Sequence, residues 1–310
     1  MKRPLYNAIH SLFHKPSHFV SALCVRLSFL FPDKLYLKLM YRLELGKRLD
    51  LDHPATYNEK LQWLKLYYHR PEMVTMADKW AVKEYVSARI GPEYVIPLLG
   101  AWEDPGDIDW DSLPRQFVLK TNHDGGNYGI VICKDKEQLD KDKAVKRLRN
   151  SLKRNTFLRG REWPYKNIPR KVFAEEYLVD EKTNELADYK FFCFDGVVKM
   201  VYVATGRQSG TGVCFDYFDA EYHHLDLVQS HPMAAHTPEK PQGFELMKAL
   251  AQKLSQGLPH VRVDFYEVNG KVYFGEFTFY SLGGWAAFHP EEYDAILGSY
   301  LKLPQKSLSL

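Results

Sequence analysis

Apolar residues recur at three- and four-residue intervals through roughly the first ninety positions, then give way to short continuous runs. The first regime predicts helices. Phe19, Leu23, Leu27 and Leu30 lie at helical spacing, which predicts an amphipathic helix packed against the body or resting on a membrane surface. Helical patterning continues to Gly46, Asp50 and Pro54. Thr56-Tyr-Asn-Glu59 has the capping-box form and opens a helix whose buried stripe is Leu61, Leu64 and Tyr68. Another helix is predicted from about Met76 to Ile90, stopped by Gly91-Pro92.

Strand signals come next at Tyr94 to Leu99, Phe117 to Lys120 and Gly129 to Cys133, then a charged surface helix over 137–155. Phe191 to Phe194, Asp195-Gly196 and Val197 to Val203 read as a hairpin; Arg262 to Glu267, Asn269-Gly270 and Lys271 to Phe277 read as a second. A helix through Phe244, Met247, Leu250 and Leu254 lies between them. Hairpin, helix, hairpin with few crossover signals predicts an α+β fold.

Composition narrows the classes. With 310 residues, 45% hydrophobic and 14% aromatic, the chain can bury a sizeable core, which excludes disorder as its main state. Lys+Arg 42 against Asp+Glu 39 leaves +3, so no nucleic-acid partner is expected, although basic residues cluster between Lys141 and Arg170. Four scattered cysteines have no metal-ligand spacing and point to a reducing, cytoplasmic setting. The apolar patch near the N-terminus is too short to span a membrane and has no cleavage site of signal-peptide type.

Three constellations carry chemistry. In Phe117-Val-Leu-Lys120-Thr-Asn-His-Asp-Gly125-Gly126-Asn-Tyr-Gly129 a strand ends in a lysine and a glycine-rich loop, a backbone that phosphate oxygens can approach; a plain hairpin loop is the competing reading. Asp264 and Glu276 sit on adjacent strands of the second hairpin, near Arg262. A two-residue Asn269-Gly270 turn sends the carboxylates to opposite faces; a three-residue turn puts Arg262 across from Glu276, with Asp264 a diagonal neighbour, and the pair then suits Mg²⁺. An ordinary strand salt bridge between Arg262 and Glu276 competes with that reading. Val172-Phe-Ala-Glu175-Glu176-Tyr177-Leu178, followed by Asp188-Tyr-Lys190, is a strand running into a linker whose backbone can read an adenine edge.

In this order the segments resemble the ATP-grasp superfamily, and more closely its teichuronopeptide-biosynthesis (TupA-like) branch of bacterial surface-polysaccharide enzymes. Asn58-Glu-Lys, Asp78-Lys79, Phe117-Val-Leu-Lys120-x-Asn-His, Asp188-Tyr-Lys-Phe-Phe-Cys-Phe, Phe274-Gly-Glu-Phe-Thr-Phe and Asp294-x-x-Leu-Gly-Ser carry the narrower resemblance. It implies an ATP-grasp fold, two α+β subdomains clamping ATP, over 116–304. Helices over 1–55 and a segment over 56–115 precede it, and a tail occupies 305–310.

The resemblance further implies roles. Lys79 and Lys120 are similar to the lysines that contact ATP phosphates, with Asn122, Gly125 and Gly126 in the loop over them. Glu175, Glu176, Tyr177 and Leu178 are similar to the adenine hinge, and Asp180 or Glu181 to the ribose ligand. Asp264 and Glu276 are similar to the Mg²⁺ ligands; Thr278 stands where many members carry an asparagine. Lys190, Arg207 and Arg262 are similar to the cations around the transferred phosphoryl group. The activity implied is ligation of an amine to the uronic acid of a saccharide or nucleotide sugar through an acyl phosphate. The basic, aromatic loop from Arg159 to Arg170 is a candidate saccharide contact. Other readings are a sugar kinase, a saccharide-binding module and a glycosyltransferase with Asp107-x-Asp109 as its metal motif.

Overall fold

A computed structural model describes residues 16–181, 186–206 and 212–306. The chain divides into two compact units, one drawing on Met1–His69, Phe157–Trp163 and Tyr280–Leu310, the other on Arg70–Thr156 and Pro164–Phe279.

The first unit is helical. Helix α1 (Pro16–Arg26) ends one residue before Leu27. Leu23 is 46% and Leu30 63% exposed, and the inward side is Ser21, Cys24 and Ser28. Leu23 and Leu30 therefore face outward while Leu27 is half-buried, and a 3₁₀ turn at Ser28–Leu30 breaks the helical phase before Leu30. Helix α2 (Asp33–Leu45) buries Tyr36, Leu37, Met40 and Tyr41 and ends at Gly46 with φ 70°. Helix α3 (Tyr57–Tyr67) carries the expected capping box from Thr56 and Glu59. No described helix is long and apolar enough to cross a membrane.

The second unit holds both sheets. Helices α4 (Glu72–Ala77) and α5 (Val82–Ile90) replace the single helix expected over 76–90. The break is chemical: Asp78 Oδ1 accepts from the backbone N–H groups of Trp80 and Ala81, starting a new helix. Strands β1 (Leu98–Trp102), β2 (Phe117–Thr121), β3 (Ile130–Cys133) and β4 (Val172–Glu176) form a sheet in the order β1-β4-β2-β3. The first strand thus begins later than the sequence suggests, after a 3₁₀ turn at Pro92–Tyr94. Phe117, Leu119, Val131, Val172 and Ala174 face a core closed by Ala144 and Leu148 of helix α6 (Lys141–Leu152). The short helix α7 (Thr156–Gly160) comes after it.

Strands β5 (Asp188–Phe194), β6 (Val197–Thr205), β7 (Cys214–Asp219), β8 (His224–Leu225), β9 (Val261–Val268) and β10 (Lys271–Thr278) form the larger sheet, ordered β10-β9-β5-β6-β7-β8. Every ladder in both sheets is antiparallel, the α+β arrangement expected. Helix α8 (Phe244–Ser255) packs on one face, where Phe244 meets Phe191 at 5.7 Å between ring centroids. Strand alternation sends the even-numbered residues of β5 and β9 to the other face. Helix α9 (Glu292–Tyr300) belongs to the first unit and packs on α3, so closely that a Cβ at Gly298 would collide with the Ala55 carbonyl.

Candidate active site

A cavity of about 900 Å³ in the second unit is lined by Val118, Lys120, Glu175, Tyr177, Leu178 and Tyr266, among others. Alternation on β2 explains its inner wall: Phe117 and Leu119 face the helix side, so Val118 and Lys120 face the cavity. Glu175 pairs with Val118 across β2 and β4 and is only 3% exposed. Its carboxylate pairs with Lys120 and, at 2.9 Å, with Lys83 of α5. Burial alone would raise the Glu175 pKa, but Lys120 and Lys83 together hold it below the usual carboxylate range. Lys83 also donates to the Ile96 carbonyl at 2.9 Å. Glu175 is therefore an anchor for two lysines, while Glu176, Tyr177 and Leu178 also line the cavity.

The second cluster lies on the even-numbered face of the larger sheet. Lys190 pairs in register with Asp264 on one side and Tyr202 on the other. Its ammonium contacts Asp264 and, at 2.6 Å, Asp188. Arg262 donates from Nε to Asp264 Oδ1 and from Nη2 to Oδ2, each at 2.7 Å, and from Nη2 to Thr278 Oγ1 at 2.9 Å. Burial would raise the Asp264 pKa; Arg262 and Lys190 overcome it and hold the carboxyl below its ordinary value. Glu276 stands apart from these contacts. Its oxygens lie 3.7 Å from Arg262 and 3.8 Å from Lys79, and its side chain is 37% exposed.

Asp264 and Glu276 share a face, but not through the three-residue turn expected. The turn has two residues, pairing Val268 with Lys271, with Asn269 at φ 51° and Gly270 at φ 75°. A β-bulge between Phe274 and Glu276 then advances the register by one residue. Beyond it Glu276 faces Asp264 directly and Thr278 faces Arg262.

Lys79 ties the glycine-rich loop to the second cluster: it donates to the Asp124 carbonyl at 2.7 Å and lies 3.8 Å from Glu276. Asn122 is a strut beneath the loop rather than a group facing the cavity. Its side chain donates to Asp78 at 2.9 Å and the Pro169 carbonyl at 2.8 Å and accepts from Lys171 N–H at 2.9 Å. At Gly125 and Gly126 nothing lies within 4 Å of where a Cβ would stand, so the loop is open at its tip. At its base a Cβ on Gly129 would collide with Thr121 Oγ1.

Of the remaining candidates, Asp180 accepts from Asn269 N–H and Asn269 Oδ1 accepts from Glu181 N–H, both at 3.1 Å, so Asp180 and Glu181 are tied to the hairpin turn. Glu176 is exposed. Arg207 lies outside the described residues. The loop from Arg159 to Arg170 does not offer Arg161 to solvent: that residue is 2% exposed, pairs with Asp33 at 2.7 Å and lies over the Tyr36 ring. Asp109 of the Asp-x-Asp look-alike caps a turn, accepting from Asp111 and Ser112 N–H groups at 3.2 and 3.3 Å. Sequence reasoning missed Lys83 and Tyr202, and named Asp188 without giving it a place in the site. The strand expected from Phe191 begins at Asp188, which puts Asp188 and Lys190, two residues apart, on one face of β5; Lys83 gave no signal.

A family model described as TupA-like ATPgrasp matches residues 59–302. No curated protein matches the sequence. Among solved structures, the D-alanine–D-alanine ligase from Bacillus anthracis complexed with ATP is 16% identical, with a TM-score of 0.39, over 66% of this chain and 54% of that one. The corresponding enzyme from Helicobacter pylori is 13% identical, with a TM-score of 0.42, over 79% and 69%. The D-cycloserine synthetase DcsG is 16% identical, with a TM-score of 0.40, over 79% and 70%. The chain spans little more than half the length of the Bacillus anthracis enzyme.

Proposed function

The chain belongs to the TupA-like ATP-grasp family, matched across residues 59–302, and on that premise we propose that it is an ATP- and Mg²⁺-dependent carboxylate–amine ligase. The observation that carries this reading is the gathering of Lys79, Lys190 and Arg262 around Asp264 and Glu276 on one sheet face. Three cations and two carboxylates around one spot suit a reaction in which negative charge moves between phosphate and carboxylate oxygens, and no side-chain nucleophile is needed.

In this reading Lys120 and Lys79 hold the phosphates, the open loop at Gly125 and Gly126 covers them, and Glu175 to Leu178 present backbone to the adenine. Asp180 or Glu181 takes the ribose. Arg262 and Lys190, with Arg207, orient the transferred phosphoryl group and the acyl substrate. The residues fit Mg²⁺: Glu276 makes no hydrogen bond among the described residues, and Asp264, with three donors on four lone-pair positions, keeps one free. Thr278 would complete the set through its hydroxyl. When bound, Mg²⁺ supplies charge neutralisation at the phosphoryl oxygens.

The substrate carboxylate attacks the γ-phosphorus and releases ADP. The amine then attacks the acyl carbon and phosphate leaves, so one C–N bond forms for each phosphoanhydride bond broken. We assign the carboxylate to a uronic acid of a capsule or other cell-surface polysaccharide, free or nucleotide-linked, and the amine to an amino acid or similar compound. The ATP-grasp domain is assigned to 116–304, after a pre-ATP-grasp segment at 56–115. Exposed Leu23, Phe29 and Leu30 near the N-terminus support contact with the cytoplasmic face of a membrane.

The test is an ADP-release screen of uronic acids against an amine panel, with mass spectrometry of the products. ADP, phosphate and an amide support the ligase; ADP and a phosphorylated sugar make it a kinase; no ADP removes both.

A further inference from the structure

Phe29, Leu30 and Leu35, at the turn from α1 into α2, are the three most exposed large apolar side chains among the described residues, at 65%, 63% and 54%. Ser21 Oγ donates to the Glu44 carboxylate, which ties α1 to α2 on either side of that turn. The α2 face that begins with Leu35 continues, at helical steps of three and four, to Lys38 and Arg42. With Arg48 these two wall a pocket of about 360 Å³ whose remaining lining is the buried Leu49. Arg42 is held there by donating from Nη1 to the Gly46 carbonyl at 2.6 Å. The Lys38 ammonium and the Arg48 guanidinium make no hydrogen bond or ion pair among the described residues. Acids of this stretch are turned to other partners: Asp33 pairs with Arg161, Glu44 accepts from Ser21, and Asp50 accepts from the N–H groups of Asp52 and His53. The pocket is thus cationic, with no carboxylate residue in its lining, and it lies on the same helix face as an exposed apolar turn.

We propose that this turn docks on an anionic phospholipid bilayer: Phe29, Leu30 and Leu35 enter the acyl boundary, and Lys38, Arg42 and Arg48 take a lipid phosphate between them. The proposal rests on the membrane contact proposed above, and it names the lipid class and the headgroup site. Leu35 and Arg42 are separated by about 10 Å of helix axis at ~1.5 Å per residue. That span matches the roughly 5–10 Å to which interfacial elements bury their apolar side, so cations and apolar tip reach headgroup and acyl levels together. A pocket of this size takes a phosphate with its ester carbons but not a folded partner. An uncharged surface would leave its cations without counter-charge, and a second copy of the chain would bring the same cations and the same engaged acids.

The test uses the full chain in co-sedimentation with two kinds of vesicle, phosphatidylcholine alone and an equal mixture of phosphatidylcholine and phosphatidylglycerol. Wild type is compared with Phe29→Ser and with a double variant carrying Lys38→Gln and Arg48→Gln. The expected result is binding to the mixed vesicles that weakens with salt, with much weaker binding to phosphatidylcholine alone. Affinity for the mixed vesicles should fall about fivefold for each cation removed, hence at least tenfold in the double variant, and several-fold in Phe29→Ser. Melting temperature should not change in either. Equal binding by wild type and the double variant overturns the headgroup site. Binding that is the same on both vesicles, indifferent to salt and lost in Phe29→Ser also overturns it, while leaving the membrane contact in place. Binding to neither vesicle removes the site and the membrane contact together, as does self-association that depends on Phe29 without vesicle binding. Should the double variant melt early, the wild type's salt dependence and its choice between vesicles still decide. The ADP-release screen, run without vesicles, decides the ligase reading separately from all of these outcomes.

Discussion

Asp264 stands directly across the β9–β10 ladder from Glu276, yet the two carboxylates live in different surroundings. Asp264 is fully buried and clasped by Arg262 and Lys190; Glu276 is half-open and lies beyond hydrogen-bond range of Arg262 and Lys79. Their substitutions should therefore separate stability from turnover. Glu276→Gln should change unfolding free energy by no more than about 0.5 kcal/mol while abolishing Mg²⁺-dependent ADP release. Asp264→Asn leaves two buried cations short of their counter-charge and should cost on the order of 3 kcal/mol as well as activity. Urea unfolding alongside ADP release checks both, and an active Glu276→Gln enzyme would remove Glu276 from the metal site.

A similar division applies around Glu175. Lys120 lines the cavity, whereas Lys83 is nearly buried and is tied to both Glu175 and the Ile96 carbonyl. Lys120→Ala should weaken ATP binding at least tenfold and leave the fold intact, because Lys83 still balances Glu175. Lys83→Met removes a buried charge partner and should destabilise by roughly 3 kcal/mol. Calorimetric titration with a non-hydrolysable ATP analogue, beside thermal unfolding, distinguishes them; equal nucleotide affinity in wild type and a folded Lys120→Ala would place Lys120 outside the site.

These contacts mark where sequence reasoning ran out. Hairpins were legible because Asp195-Gly196 and Asn269-Gly270 carry the left-handed conformations their turns require. The facing of Asp264 and Glu276 was not derivable from turn length, since a bulge at Gly275 resets the register within the strand. Nor could composition distinguish Arg161, which anchors the chain to Asp33, from the cations of α6 that line a groove. Burial separates the two, and it depends on neighbours more than a hundred positions away along the chain.

The hinge gives a selectivity test. Glu175 is paired in both ladders of β4 and Glu176 N–H donates to the Pro97 carbonyl at 3.1 Å, so the Glu176 carbonyl and the backbone of 177–178 are what remain to read a base edge. Backbone donors and acceptors in fixed order should favour ATP over GTP by at least tenfold in kcat/KM, measured by ADP or GDP release with the same substrate pair. Equal use of the two nucleotides would count against the hinge.

The last prediction concerns Lys65 of α3, in the helical unit. The residue is 2% exposed; its ammonium donates to Gln62 Oε1 at 3.0 Å and the Gly283 carbonyl at 2.7 Å, and lies 4.2 Å from the Trp285 ring centre. Burial pushes its pKa down to about 7, against 10.5 for an ordinary lysine, with Glu162 only partly opposing the shift. Below pH 7 both folded and unfolded chains hold the proton, and the burial penalty counts in full. Between about 7 and 10.5 the unfolded chain keeps a proton that the folded one has released, so stability rises with pH, by at most about 1.4 kcal/mol per unit. Buried Tyr280 and Tyr41, whose phenols are pushed upward by burial, begin to act in the opposite direction near pH 10, which limits the useful window to about pH 7 to 9.5. Melting temperature across that window should climb in wild type and stay flatter in Lys65→Met. Parallel curves for the two proteins would show that Lys65 keeps its proton in the folded chain.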